Sequence, residues 1–325
     1  MTKEDLPNHL HLCDTSAFNI SRKGEVNHYT YWKKNEQVTD KALIEQLKEY
    51  HIPATWTNVL LSADATSHIL ATGYDGSGKL QYMYHPDYME HANQRKFEDL
   101  IDFAHTLPRI RRRVSKDLKA AKWNEDKLLA LIVRILDKHH MRIGSRVYAN
   151  KKQSYGLTTL RKKHLQEHDE EIVFKYQGKS HQEREVHLTD PLLVEHIREL
   201  AGLPGWDLFS FKNGNATIKA DSRMVNEYIR KISGGNFTAR NFRTWGGTTL
   251  SVKLHSKAKK ITSKNPRKDF KATLVQTVAE SLGNTPAICR DYYIHPKILE
   301  YTCTYDFDCT PCKNLKGYRK YECRT

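Results

Sequence analysis

A phosphodiester can be cut without a metal ion when three parts come together: a side-chain oxygen that attacks phosphorus in line, fixed cations that hold the charge gathering on the transition state, and an acid for the departing oxygen. The chain carries residues of each type. Arg142 lies in Met141-Arg142-Ile143-Gly144, directly after a long helical pattern, and Arg243 lies in Arg240-Asn241-Phe242-Arg243-Thr244-Trp245 within another predicted helix. Arginine suits the task because its guanidinium fork stays charged and can grip two phosphate oxygens at once. Lys179 falls at the tip of a predicted hairpin and is the candidate acid, since an ammonium set among other cations gives up its proton more readily. The adjacent Tyr292 and Tyr293 offer a nucleophilic oxygen. Each has a plainer reading: an arginine on a basic protein is usually solvated, a turn lysine is usually exposed, and tyrosines pack.

Composition fits such chemistry. The 325 residues suffice for two ordinary domains, and 53 Lys plus Arg against 38 Asp plus Glu leave a formal net charge of +15, which points to a polyanionic partner. No stretch approaches the roughly 20 apolar residues that span a bilayer. The opening MTKEDLPNHLHL is polar and broken by Pro7, so a soluble intracellular protein is expected, in a bacterial cytoplasm or in the virion or host cell of a large DNA virus. Cys13 and Cys289 lie far apart, while Cys303, Cys309, Cys312 and Cys323 gather in the tail. This is no disulfide framework, and a four-cysteine zinc site ordinarily shows two close pairs where only Cys309-x2-Cys312 is close. No metal and no cofactor is expected.

Two domains must position these residues. Residues 1–92 read as β-rich: in HILATGYDGSGKLQYMYH (68–85) the DGSG between alternating runs signals a hairpin with Gln81, Tyr82, Met83 and Tyr84 on the return strand. From Asn93 the spacing becomes helical, with Phe97, Leu100, Ile101 and Phe103, a basic run from Arg109 to Arg113, and Leu128, Leu129, Leu131, Ile132, Ile135 and Leu136 behind an Asn124 cap. The second domain, 93–325, also contains a hairpin built from EIVFKY (171–176) and HQEREVHL (181–188), with Lys175 the nearest substitute for Lys179. Further helices are expected over 192–201, 222–232, 239–252 and 267–281, with a new cap at Thr285-Pro286 and a helix end at His139-His140. The basic segment from Lys253 to Lys271 reads as a mobile surface loop. The fold class is α+β: a small β-rich domain and a larger, mainly helical domain with a small antiparallel sheet.

In MRIGSRVY (141–148), YGLTTLRKKH (155–164), YQGKS (176–180), ARNFRTW (239–245) and SLGNTPAICRDYYIHP (281–296), taken in order, the second domain resembles the catalytic domain of the poxvirus-like and bacterial type IB DNA topoisomerases. The first domain resembles the same family through PATWTNV (53–59) and ATGYDGSGKLQYMYH (71–85). The resemblance implies a catalytic set of Arg142, Lys179, Arg243, Asn284 and Tyr293. Asn284 stands where poxvirus members and eukaryotic nuclear enzymes carry histidine and bacterial members asparagine, and its amide can still donate to a phosphate oxygen. The implied reaction is attack by Tyr293 to give a 3′-phosphotyrosyl bond and a free 5′-hydroxyl, swivelling of the duplex, and resealing without ATP or metal.

The same resemblance implies that the strand with Gln81, Tyr82 and Tyr84 enters the major groove, where glutamine reads adenine and tyrosine meets phosphate or base. Arg146, Tyr148 and Arg240 are further expected DNA contacts. Ordinary cross-strand pairing and solvated surface side chains are the plain alternatives. The expected architecture is a clamp of two domains around duplex DNA, formed by a monomer with no membrane and no obligate protein partner. A tyrosine recombinase or integrase is the rival enzyme, although it usually has His-x-x-Arg where this chain has Arg240-x-x-Arg243 and a helical rather than β-rich N-terminal half. A basic duplex-coating protein is the non-enzymatic rival.

Overall fold

A computed structural model describes residues 6–26, 28–214 and 216–305. The short alternating runs near the start of the chain fold as one antiparallel sheet. Its strands are β1 (Ile20–Lys23), β2 (Thr30–Lys33) and β3 (Glu36–Gln37), then, after helix α1 (Lys41–Glu49), β4 (Thr57–Leu61), β5 (Ile69–Tyr74) and β6 (Leu80–Tyr84), in the order β3-β2-β1-β4-β5-β6. Ile20, Tyr31, Val59, Leu61, Leu70 and Ala71 bury one face with Leu47 of α1, and Met83 packs against them. Tyr82 and Tyr84 alternate with Met83 and so leave by the other face. The β5–β6 turn forms as expected because the Asp75 carboxylate accepts backbone N–H from Ser77 (2.9 Å) and Lys79 (3.1 Å).

The chain divides into two compact units, Met1–Glu98 and Asp99–Thr325, and the division falls inside α2 (Pro86–Asp117). This helix begins earlier than the Asn93 at which helical spacing becomes legible. Its first turn is capped by a histidine, His85, whose Nδ1 accepts from Asp87 N at 3.1 Å, with Pro86 at the first helical position.

The second unit is built around α3 (Glu125–His139), whose Leu128, Leu129, Leu131, Ile132, Ile135 and Leu136 are all buried. Asn124 caps it as expected, accepting from Lys127 N at 2.9 Å, and His140 ends it in the left-handed region at φ 51°. After α4 (Arg146–Lys152) come β7 (Leu165–Glu167), β8 (Ile172–Gln177) and β9 (Glu183–Leu188), an antiparallel sheet whose β8–β9 hairpin carries Lys179 at its tip. Next follow α5 (Pro191–Gly202), a two-stranded hairpin of β10 (Ser210–Asn213) and β11 (Ala216–Lys219), α6 (Ser222–Ser233) and α7 (Ala239–Lys253). The β10–β11 hairpin was not expected from the sequence, because four-residue strands are too short for their alternation to register.

The segment 253–271 is not a loop. It holds α8 (His255–Lys264), in which His255 and Ala258, one turn apart, are buried while the lysines point outward. A helix needing only a histidine and an alanine inside leaves no apolar stripe to read. The helix expected over 267–281 is α9 (Phe270–Leu282), started by Asp269, which accepts from Ala272 N at 2.7 Å. Then come α10 (Pro286–Tyr292), capped by Thr285, and α11 (Pro296–Thr304). Helices α8 to α11 share a core of Ala258, Leu274, Val275, Val278, Leu282, Cys289, Ile294 and Leu299. Among the described residues no helix is long and apolar enough to cross a membrane.

Candidate active site

Three helix ends and one helix interior bring four of the five expected residues together. Arg142 follows the left-handed residue that closes α3, and Arg243 lies inside α7. Asn284 follows Gly283, which terminates α9 at φ 63°, where a left-handed conformation favours glycine. Tyr293 is the residue at which α10 stops.

The side chains interlock. Asn284 Oδ1 accepts from Arg142 Nη2 and, at 3.3 Å, from Arg243 Nη2. Arg142 also donates to the Gly283 carbonyl at 2.9 Å, and Arg243 to the carbonyls of Leu282 (3.1 Å) and His140. Facing two cations fixes the Asn284 amide with its oxygen inward, so its Nδ2 points elsewhere. That Nδ2 and Arg243 Nε are buried N–H donors with no partner in the described structure. Donors buried without acceptors cost free energy unless a ligand supplies the acceptor, and phosphate oxygens do so.

Arg243 is 5% exposed, and its guanidinium carbon lies 5.2 Å from the centroid of the Tyr293 ring. Burial pushes the Tyr293 phenol up, but Arg243, by charge and hydrogen bond, and then Arg240 and Arg142 outweigh it, so the phenol titrates below the ordinary tyrosine value. Burial, with Arg243 beside it, pushes Arg142 down to about 10. The backbone of Tyr293 is seated on α7: Thr248 Oγ1 donates to its carbonyl at 3.3 Å, and Gly247 leaves so little room that a Cβ there would lie 2.5 Å from the same oxygen.

Lys179 is not part of this cluster. It is exposed at the hairpin tip and makes no hydrogen bond or ion pair with any described residue, while Ser180 and His181 beside it both take positive φ. Lys175, its expected substitute, pairs with Glu185 across the hairpin at 3.4 Å. Tyr292 is the last residue of α10.

Among the expected DNA contacts, Arg240 is exposed one turn before Arg243. Arg146 starts α4 and donates to Ala220 O at 3.4 Å, and Tyr148 is 40% exposed on the same helix. In the first unit the Gln81 amide donates to Asp75 Oδ2 at 2.8 Å, so one of its hydrogens is already committed. The Tyr82 ring neighbours Tyr84 at 6.1 Å, and Tyr84 neighbours Tyr88 at 5.4 Å. Of the tail cysteines, Cys303 is exposed on α11, and Cys309, Cys312 and Cys323 lie outside the described residues.

Sequence reasoning missed Arg184, Tyr176, Gly247 and Thr248. Arg184 lies directly across the hairpin from Tyr176, and its charge acts on both Arg142 and Arg243. The strand alternation in HQEREVHL contained it without marking it.

A family model of the catalytic core of eukaryotic DNA topoisomerase I matches residues 86–303, and one of the N-terminal domain of bacterial DNA topoisomerase IB matches residues 28–75. A DNA topoisomerase 1B of Acanthamoeba polyphaga mimivirus is 32% identical over 288 residues, covering 86% of this chain and 85% of its own. The DNA topoisomerase 1B of Vaccinia virus (strain Copenhagen) is 26% identical, covering 80% and 82%. Among solved structures, a XerH site-specific recombinase bound to difH substrate is 17% identical with a TM-score of 0.34, covering 62% of this chain and 52% of that one, an overlap too loose to bear on function.

Proposed function

The chain belongs to the type IB DNA topoisomerase family, and from that premise we propose that Tyr293 is the nucleophile with which it nicks one strand of duplex DNA. The Tyr293 oxygen attacks the scissile phosphorus, forming a 3′-phosphotyrosyl bond as the bond to the 5′ oxygen breaks. Its phenolic proton passes to water. Arg142, Arg243 Nε and Asn284 Nδ2 hold the non-bridging oxygens, each such donor typically worth about 10²–10³ in rate. Lys179 gives its proton to the leaving 5′ oxygen once the hairpin tip is brought over the bound strand. The duplex swivels, removing supercoils of either sign, and the 5′-hydroxyl attacks back to reseal. One phosphoester replaces another, so no nucleotide is consumed, and a site of guanidinium and amide donors has nothing to offer a metal cation.

The observation that supports this reading is the Arg142–Asn284–Arg243 interlock beside Tyr293, with two buried N–H groups left over. We place the DNA between a β-rich domain, residues 1–92, and the catalytic domain, 93–325, closing as a clamp. Gln81, Tyr82, Tyr84, Arg146, Tyr148 and Arg240 contact the duplex, and the active species is an intracellular monomer.

The test is relaxation of supercoiled plasmid in EDTA without ATP, run beside Tyr293→Phe and Tyr292→Phe. Relaxation and a covalent protein–DNA adduct should vanish in Tyr293→Phe alone. An active Tyr293→Phe moves the nucleophile to Tyr292. Recombination of paired sites without relaxation assigns the chain to the integrases, and DNA binding without any adduct reduces it to a coating protein.

A further inference from the structure

Arg184 occupies an unusual position between the two halves of the proposed site. It rises from β9 opposite Tyr176, and its stem runs past Gly178, where a Cβ would lie 3.1 Å from Arg184 Cγ. Its guanidinium then crosses Gly283 so closely that a Cβ there would collide with it. Nη1 donates to Glu280 O, which also accepts from Gly283 N, and Nη2 to Ser281 O, each at 3.4 Å, at the C-terminal end of α9, where the helix dipole favours a cation. The two glycines it threads are those immediately before Lys179 and Asn284. No carboxylate among the described residues pairs with it.

We propose that Arg184 is a positioning residue that pins the lysine-bearing hairpin to the end of α9, so that Lys179, when it moves in, comes down over the phosphate held by Asn284 and the two arginines. The inference rests on the reading of Lys179 as the general acid. Without Arg184 the hairpin keeps its strand pairing but loses its anchor to α9, and the acid would arrive at the leaving oxygen only part of the time. An arginine serves better than a lysine because one planar fork meets two successive carbonyls while its stem fits between two glycines.

A substrate that needs no acid separates this role from general damage. In a DNA whose scissile phosphate carries sulfur in place of the 5′ bridging oxygen, the P–S bond breaks to release a thiolate, which leaves without a proton. Single-turnover adduct formation is measured on oxygen and sulfur substrates for the full-length wild type and for Lys179→Ala, Arg184→Ala and Arg184→Lys, with thermal unfolding of each variant. On oxygen, Lys179→Ala should be slower by about 10²–10⁴, Arg184→Ala by about 10–10², and Arg184→Lys by less. On sulfur, all three should come within about threefold of wild type, because the acid acts only on the leaving group.

Arg184→Ala that is equally slow on both substrates, or at wild-type rate on both, overturns the inference while a rescued Lys179→Ala leaves the lysine reading standing. A Lys179→Ala that sulfur does not rescue removes the lysine reading and the inference with it. If Arg184→Ala does not fold, Arg184→Lys carries the same comparison: a deficit on oxygen that sulfur does not reduce overturns the proposal.

Discussion

Gly247→Ala tests whether Tyr293 is set by the backbone of α7. In an ordinary helix interior this substitution stabilises by about 1 kcal/mol. Here the new Cβ would lie 2.5 Å from Tyr293 O and 2.9 Å from Tyr293 C and Cβ, against ordinary contacts that begin near 3.4 Å. The deficit is about 0.9 Å, and two of the three atoms are main chain, so a rotamer change cannot relieve it. If the Tyr293 backbone retreats by that distance, the phenol leaves the position proposed for in-line attack, and a misplacement of about 1 Å costs roughly 10² in rate. Overpacking of about 1–3 kcal/mol, set against the helix gain, leaves a net destabilisation between about zero and 2 kcal/mol. Single-turnover adduct formation should fall about a hundredfold while DNA affinity, read by fluorescence anisotropy, stays within about twofold. A folded Gly247→Ala that cleaves within threefold of wild type, or one whose affinity falls as far as its rate, refutes the reasoning.

Three further outcomes follow from charge. The Tyr293 phenol titrates low because its cations outweigh burial, so the cleavage rate should rise with pH and level off below the ordinary tyrosine range. Arg240→Ala, which removes one of those cations, should move the profile upward, and an unmoved profile contradicts the assignment. Asn284→Asp would set a carboxylate between Arg142 and Arg243; the unfolding temperature should rise while adduct formation falls about 10²–10³, and a lowered unfolding temperature would count against the arginines being under-compensated. Burial pushes His140 and His164 down to about 4 from 6.5. The unfolded chain binds protons that the folded chain refuses, so stability is complete above about pH 6.5 and is lost as pH falls toward 4. His164→Gln should flatten that acid loss, seen as a smaller drop in unfolding temperature between pH 7 and pH 4.5.

Most helices were legible because their signals are local. Asn124 and Thr285 announce helix starts by type, and the structure uses both as caps. The α2 start was hidden because a histidine does the capping, and α8 was hidden because its buried stripe is His255 and Ala258 rather than leucines. The candidate catalytic residues were visible through their motifs, and the structure gathers Arg142, Arg243, Asn284 and Tyr293 in one place. What holds them was not visible. Arg243 is fixed by the carbonyls of His140 and Leu282, and Tyr293 by the absence of a side chain at Gly247. A carbonyl is present in every residue, so no side-chain pattern discloses which one is used. Arg184 lies in the same class, since its meaning depends on two glycines more than a hundred residues apart.

The way these arginines are held bears on how the site treats an anion. Three guanidinium groups converge where desolvation lowers the pKa of at least Arg142 and Arg243, yet none of the three pairs with a carboxylate among the described residues. Instead the carbonyls of Glu280, Ser281, Leu282 and Gly283, four in succession at the end of α9, receive Arg184, Arg184, Arg243 and Arg142 in turn, and Arg243 also reaches the end of α3 through His140. A helix C-terminus offers only about half an elementary charge, spread over its last carbonyls. It orients the cations without cancelling them, whereas an aspartate at the same place would neutralise part of that charge and weaken the field for a phosphate. The excess positive charge is therefore a standing cost of the free protein, relieved when an anion docks. In the proposed reaction it would be relieved further as charge builds on the phosphate during attack, which is the condition under which binding energy lowers a barrier rather than only filling a site.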